Sequence, residues 1–211
     1  MTSLERFVSL NREQEISETD AFTERRYQQF VRHLSPETRE VLDVGCNTGR
    51  GGAVMKGLRP CLRITGVDCV PERVHALDPL TYDVRICGFT PALPLAADSF
   101  DAIVAGEFIE HLSPDLVFPT LCEFFRLLRL RGQLLLTTPN PRYLKHRFQG
   151  TSVLGGAHIS QHYIGNLKRR LGDIGFSSIK IKGSGRISIA LGELFPFRAI
   201  YGSYLAEARK W

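Results

Sequence analysis

A chain of 211 residues with a formal net charge of +5, 43% hydrophobic residues and 9% aromatic residues can bury one sizeable core without metals or disulfides. Five cysteines, an odd number without C-x-x-C spacing, argue against a disulfide framework or a zinc site and point to a reducing compartment. No apolar run has the length of a membrane span and the N-terminus lacks a secretion signal, so a cytoplasmic protein with no membrane partner is expected, its scattered arginines permitting an anionic partner without requiring one.

Residues 1–39 are charged and helix-prone, with Ser17 and Thr19 as available caps and Phe22, Tyr27, Phe30, Val31 and Leu34 as an apolar stripe. Such a segment suits either a lid over a ligand mouth or a helix that patches a sheet edge. Strands are predicted near 40–44, 63–68, 82–87, 100–105 and 132–138, alternating with helical segments, which implies right-handed crossovers and a doubly wound α/β sheet over 40–211. Pro114 and Pro119 bracket the start of a helix whose body, Leu121 to Leu128, is apolar on one side. Ser160 is the expected N-cap of a helix carrying Ile164, Leu167, Leu171 and Ile174, with Gly175 as its stop. Residues 177–184 and 203–210 read as two last strands, and 186–202, rich in Phe, Pro and Gly, as an insertion or flap over the substrate side. Basic clusters at Arg25-Arg26, Lys145-His146-Arg147 and Lys168-Arg169-Arg170 read as solvated helix faces, the middle one being the candidate for substrate charge.

The most informative stretch is Val41-Leu42-Asp43-Val44-Gly45-Cys46-Asn47-Thr48-Gly49, followed by Ile64-Thr65-Gly66-Val67-Asp68. An apolar run suits a strand buried on both faces, and Gly45 and Gly49 let the backbone turn tightly against a ligand. Asn47 between them tolerates positive φ. Asp68, at the carboxyl end of the second run, is placed to accept hydrogen bonds from a ribose diol, so the pair of runs suits an adenosine-bearing cofactor. The dinucleotide pattern G-x-G-x-x-G is not met, because its later glycine positions hold Asn47 and Arg50, which leaves NAD as the second choice.

These residues resemble the class I S-adenosylmethionine-dependent methyltransferases. The first run is similar to that family's first motif and Gly66-Val67-Asp68 to its second; Leu93-Pro94-Leu95 with Asp98-Ser99-Phe100-Asp101, then Glu110-His111-Leu112, then Arg126 to Gly132 leading into Leu134 to Asn140, resemble its later landmarks in order. The resemblance implies a mostly parallel seven-stranded sheet with an antiparallel last strand. It also implies a cofactor site drawn from Asp43, Gly45, Cys46, Asn47, Gly49, Asp68, Cys69, Phe89, Thr90 and Glu107, with backbone groups at Phe89 and Thr90 holding adenine where the family often has an Asp.

Methyl transfer from a sulfonium is an in-line displacement, in which alignment and exclusion of water matter most and a base matters when the nucleophile is an alcohol. Glu107, Glu110 and His111 share one face of a helical turn, and His158 and His162 follow the fifth strand to the same sheet edge. Two chemistries suit this set. His111 or His158, aided by Glu110, takes the proton of an alcohol; or Glu107, Glu110, His111 and His158 hold a divalent metal, as the resemblance to small-RNA 3′-terminal ribose 2′-O-methyltransferases and ubiquinone-pathway O-methyltransferases implies. A third reading has Glu110 and His111 merely capping and packing beneath the cofactor. Pro139-Asn140-Pro141 follows strand five and has no aromatic after it, so it reads as a rigid turn rather than the motif of amino methyltransferases. The expected activity is O-methylation of a small-molecule or glycan hydroxyl, the alternatives being a metal-using methyltransferase of the RNA 3′-terminal ribose and a non-catalytic module that binds a partner through 186–202.

Overall fold

The computed structural model describes residues 3–12 and 21–211, so the expected caps Ser17 and Thr19 lie outside the described residues. Seven strands form one sheet: β1 (Glu40–Val44), β2 (Arg63–Asp68), β3 (Val84–Cys87), β4 (Phe100–Gly106), β5 (Leu128–Pro139), β6 (Phe176–Ser184) and β7 (Ser203–Lys210). Their order is β3-β2-β1-β4-β5-β7-β6, parallel from β3 through β5, with β7 antiparallel to both of its neighbours. The order reverses beside β1, and that is where an open α/β sheet leaves a crevice at the carboxyl ends of its strands.

Side chains alternate across this sheet with the period of two that strands impose. Leu42, Val44, Ile103, Ala105, Leu134 and Leu136 face one layer, formed by α5 (Pro114–Leu127) and α7 (Ile164–Ile174). Val41, Ala102, Val104 and Leu135 face the other, with Tyr27, Phe30 and Leu34 of α2 (Ala21–His33) and Met55 of α3 (Arg50–Leu58). The expected stripe on α2 therefore packs on the sheet, Phe22 excepted, which stays exposed. Burial of each large aliphatic or aromatic side chain stabilises the fold by about 1.5 to 3 kcal/mol.

Three local expectations are corrected. Pro119 lies inside α5 rather than at its start; only Pro114 occupies the first turn, where the missing N–H costs nothing. Ser160 does not cap α7, whose N-cap is Tyr163; its hydroxyl donates instead to the Ile109 carbonyl at 3.1 Å. Strand β5 begins at Leu128, because Phe100 pairs with Leu128 before a shift in register. Gly175 does end α7, at φ 112°. Two further short helices precede the sheet or bridge it, α1 (Ser3–Arg12) and α4 (Pro71–Ala76), and two more lie beyond β5, α6 (Leu144–Gln149) and α8 (Arg186–Leu191).

Candidate active site

The carboxyl ends of β1, β2, β3 and β4 open on a cavity of about 420 Å³, the right scale for a small-molecule or cofactor site. Its floor is the turn after β1. Gly45 at φ 70° and Cys46 both donate backbone N–H to the Val67 carbonyl, at 2.8 and 3.1 Å, which ties the turn to the end of β2. A Cβ at Gly45 would stand 2.8 Å from the Phe108 ring, so only glycine lets that ring close the floor. Asn47 takes positive φ at 50°, as expected, and its N–H donates to Asp68 Oδ2 at 3.0 Å, while Val70 N–H donates to Oδ1 at 2.9 Å. These bonds hold the Asp68 carboxylate rigid against the cavity, although burial raises its pKa above the ordinary value.

Gly45, Cys46, Asn47, Asp68, Cys69, Phe89, Thr90, Glu107, His111 and His158 all line the cavity. Asp43 does not. It shares the face of Val41, and its two oxygens accept from the hydroxyls of Tyr27 at 2.6 Å and Tyr82 at 2.7 Å. Gly49 is also set back, ending the turn at φ 86° as the N-cap of α3. Burial pushes the Cys69 thiol up to about 12 and raises that of Cys46, so both remain thiols and act as small packing groups.

The turn after β4 supplies the second wall. Glu107 has φ 52°, and residues Ile109–His111 form one 3-10 turn that buries Glu110 completely. Glu110 Oε2 accepts from the Thr138 hydroxyl at 3.0 Å, Oε1 lies buried with no hydrogen-bond partner, and burial beside Glu107 drives the carboxyl pKa well upward. Its backbone carbonyl accepts from both Ile159 and Ser160 N–H, at 2.9 and 3.0 Å, which clamps the segment carrying His158 onto the turn. His162 reinforces the clamp by approaching the Ile109 carbonyl at 3.1 Å; burial lowers its pKa to about 4, and it does not line the cavity.

Glu110, His111 and His158 come together, with one potential ligand atom from each lying within 4.8 Å of the others. Glu107, the fourth member of the expected metal set, stands outside this group: Ser203 donates to its Oε2 at 3.1 Å, and Arg26 Nε lies 3.8 Å from Oε1. His111 Nδ1 faces the Ala157 carbonyl at 3.1 Å, and its ring meets His158 edge-on at 4.8 Å between centroids. Burial, helped by His158, lowers its pKa to about 4 despite the pull of the Ala157 and Glu107 carbonyls. His158 Nδ1 faces the Val153 carbonyl at 3.1 Å, which assigns its proton to that nitrogen and the lone pair to Nε2.

Sequence reasoning offered residues 1–39 as a lid or a patch but named none of their side chains for the site. Asn11 of α1 and Thr23, Arg26 and Tyr27 of α2 line the cavity, and Arg73 of α4 donates to the Asn11 carbonyl at 2.6 Å. Arg26, read as a solvated charge, keeps only 14% of its side-chain surface exposed. The available signal was Gly106: a Cβ there would stand 2.9 Å from Arg26 Cδ, so the glycine lets an arginine stem lie across the end of β4. No residue of the 186–202 segment lines this cavity.

Residues 42–136 match the family model of a methyltransferase domain. A malonyl-[acyl-carrier protein] O-methyltransferase of Laribacter hongkongensis is 31% identical over 146 residues, covering 63% of this chain and 47% of that protein. The mitochondrial ubiquinone biosynthesis O-methyltransferase of Mus musculus is 31% identical over 117 residues, covering 51% of this chain and 30% of that protein. The chain thus spans less than half the length of either relative. Among solved structures, a methyltransferase of Archaeoglobus fulgidus described as dependent on S-adenosylmethionine superposes with a TM-score of 0.70 at 18% identity, covering 89% of this chain and 92% of that one. A 1,6-didemethyltoxoflavin-N1-methyltransferase of Burkholderia thailandensis, bound to 1,6-didemethyltoxoflavin and S-adenosylhomocysteine, superposes with a TM-score of 0.70 at 19% identity over 98% and 86% of the two chains. Both likenesses are of fold.

Proposed function

We propose that the chain is a class I S-adenosylmethionine-dependent methyltransferase that transfers a methyl group to an oxygen of a small-molecule or glycan acceptor, a reading supported by the methyltransferase-domain match over residues 42–136 and by the named relatives. One observation carries the reading: a single cavity at the reversal point of the sheet holds both the rigid Asp68 carboxylate and His158, 90 residues apart in sequence. The O-methyltransferase names of the curated relatives support oxygen as the receiving atom. The fit to the cofactor rests on the cradle at Gly45 and on a carboxylate presented at the end of β2, where a ribose diol would meet it. When bound, S-adenosylmethionine supplies an electrophilic sulfonium methyl.

The residues of the chain then divide the work. Asp68 and the turn at Gly45 to Asn47 fix the nucleoside, and Phe89 and Thr90 border the adenine end. His158, with its proton on Nδ1, presents Nε2 to accept the proton of the acceptor hydroxyl as the new C–O bond forms. Glu110 positions rather than reacts: its carbonyl clamps 159–160, and its carboxyl is anchored on Thr138. His111, facing a backbone carbonyl and depressed in pKa, is a neutral wall against His158.

Calorimetry with S-adenosylhomocysteine tests the cofactor half. Asp68→Ala removes one or two charge-assisted bonds of about 1.5 to 3 kcal/mol each. Unchanged affinity removes the ribose assignment. His158→Ala is expected to slow turnover about 10²- to 10⁴-fold while leaving S-adenosylhomocysteine affinity near normal; full turnover on a verified acceptor takes His158 off the list.

A second reading is favoured by the buried, partnerless Oε1 of Glu110 beside two imidazoles: Glu110, His111 and His158 would hold a divalent cation, which would acidify a bound hydroxyl. Binding heat on titration with Mg²⁺ or Mn²⁺, absent in Glu110→Gln, would favour it; activity unaffected by a chelator would remove it.

A further inference from the structure

Beyond β5 and β6, at the same sheet edge as the cavity, the connecting segments are rich in apolar residues and, one acid apart, positively charged. No carboxylate occurs from Phe124 to Gly172. Between Gly185 and Gly202 the sole acid is Glu193, and it is engaged by His33 at 2.6 Å and Arg32 at 3.4 Å. Large apolar side chains project here: Phe148 is 82% exposed, Leu194 74% and Phe197 54%. Single exposed apolar residues are ordinary, but three of them on segments that carry several cations and one already engaged acid are not.

The group is held together rather than loosely strung. Asn140 Nδ2 donates to the carbonyls of Arg198 and Tyr201, at 3.1 and 3.0 Å. The Tyr201 hydroxyl donates to the Gly192 carbonyl at 2.5 Å and accepts from Phe195 N–H at 3.2 Å. Helix α6, with Lys145, Arg147 and Phe148, packs against the 3-10 turn Arg198–Ile200. Arg142 and Arg198 both line a cleft that Tyr163 also lines.

We propose that this face docks on an anionic lipid bilayer, with Phe148, Leu194 and Phe197 entering the interface and Lys145, Arg147, Arg142 and Arg198 meeting lipid phosphates. No described helix is long and apolar enough to cross a membrane, but lying on one asks for a different pattern, an apolar tip flanked by cations. Protruding apolar side chains with cations on the same segments suit insertion into an anionic leaflet. Docking here would put the opening of the active site beside the membrane, and it stands independently of methyl transfer.

Flotation with vesicles of phosphatidylcholine, with and without phosphatidylglycerol, tests it on the full chain. The protein is expected to float with the anionic vesicles at low salt and to be released by high salt. Lys145→Ala with Arg147→Ala should lower partitioning about fivefold per cation. Phe148→Ser, Leu194→Ser and Phe197→Ser together should lower it at least about tenfold. Unchanged S-adenosylhomocysteine affinity in these variants shows that the fold and the cofactor site are intact. Absence of flotation, or flotation indifferent to both sets of substitutions, overturns the proposal. So does loss, in the same variants, of binding to an acidic protein such as an acyl carrier protein when vesicles are not bound, which would assign the face to a protein partner.

Discussion

Asp43 stands in the first motif yet turns away from the ligand, because its strand position is shared with Val41 on the face covered by α2. Burial raises its pKa from 3.8 to about 6, against the pull of two tyrosine hydroxyls. The native state therefore holds this proton more tightly than the unfolded chain, so the contribution is fully present below pH ~4 and is lost as pH rises through about 6, about 3 kcal/mol in all. Urea midpoints of the natural protein should fall relative to those of Asp43→Asn across that window; parallel curves would show that the carboxyl is not perturbed. His162 acts with the opposite sign. Its pKa is depressed from 6.5 to about 4, so its contribution is present above pH ~6.5 and is lost as pH falls towards 4, again by about 3 kcal/mol. In His162→Gln the acid-side slope should flatten, measured in the same way. Neither group's surroundings were legible in the sequence. Asp43 meets Tyr27 and Tyr82, 16 and 39 residues away, and no local period encodes such a meeting.

At the scale of elements, local pattern served well where one face is buried and poorly where a loop is held by something distant. Strands β1, β2 and β4 follow from their apolar runs, and the turn after β1 from its glycines. Ser160 had the chemistry of a cap but stands three residues before the actual N-cap of α7, engaged by the Ile109 carbonyl. Helix α2 was an undecided lid or patch. Its inner face packs on the sheet, while Thr23, Arg26 and Tyr27 also line the cavity. The close approach of α2 to α3 depends on Gly51, where a Cβ would overlap the Tyr27 ring. Gly51→Ala should therefore cost about 1 to 3 kcal/mol through overpacking, seen as a lower thermal midpoint. It should also weaken S-adenosylhomocysteine binding, because Tyr27 borders both packing and cavity. A midpoint equal to that of the natural protein would mean that α2 sits elsewhere in solution.

For the molecule as a whole, the cavity unites segments from α1 to the loop after α6, so ligand binding should stabilise most of the fold at once. S-adenosylhomocysteine at about 100 times its Kd should add about 2.7 kcal/mol, raising the thermal midpoint by about 5 to 10 °C. Asp68→Ala should show a smaller rise at the same ligand concentration. The doubly wound architecture was readable because every parallel strand needs its own crossover, and the alternation of runs records that. Which side chains of α1 and α2 reach the cavity was hidden, since a wall made from the segment before the first strand leaves no mark in the motifs that follow it.

Strand β7 lies between β5 and β6, although β6 precedes it in the chain. During synthesis β6 thus has no berth on the growing sheet, and β5 presents a bare edge of backbone donors and acceptors until residues 203–210 have left the ribosome. A nascent chain halted short of Ser203 would carry the turn after β1 and its cavity nearly complete beside an unsealed flank, and it is there that premature termination should lead to strand-to-strand aggregation.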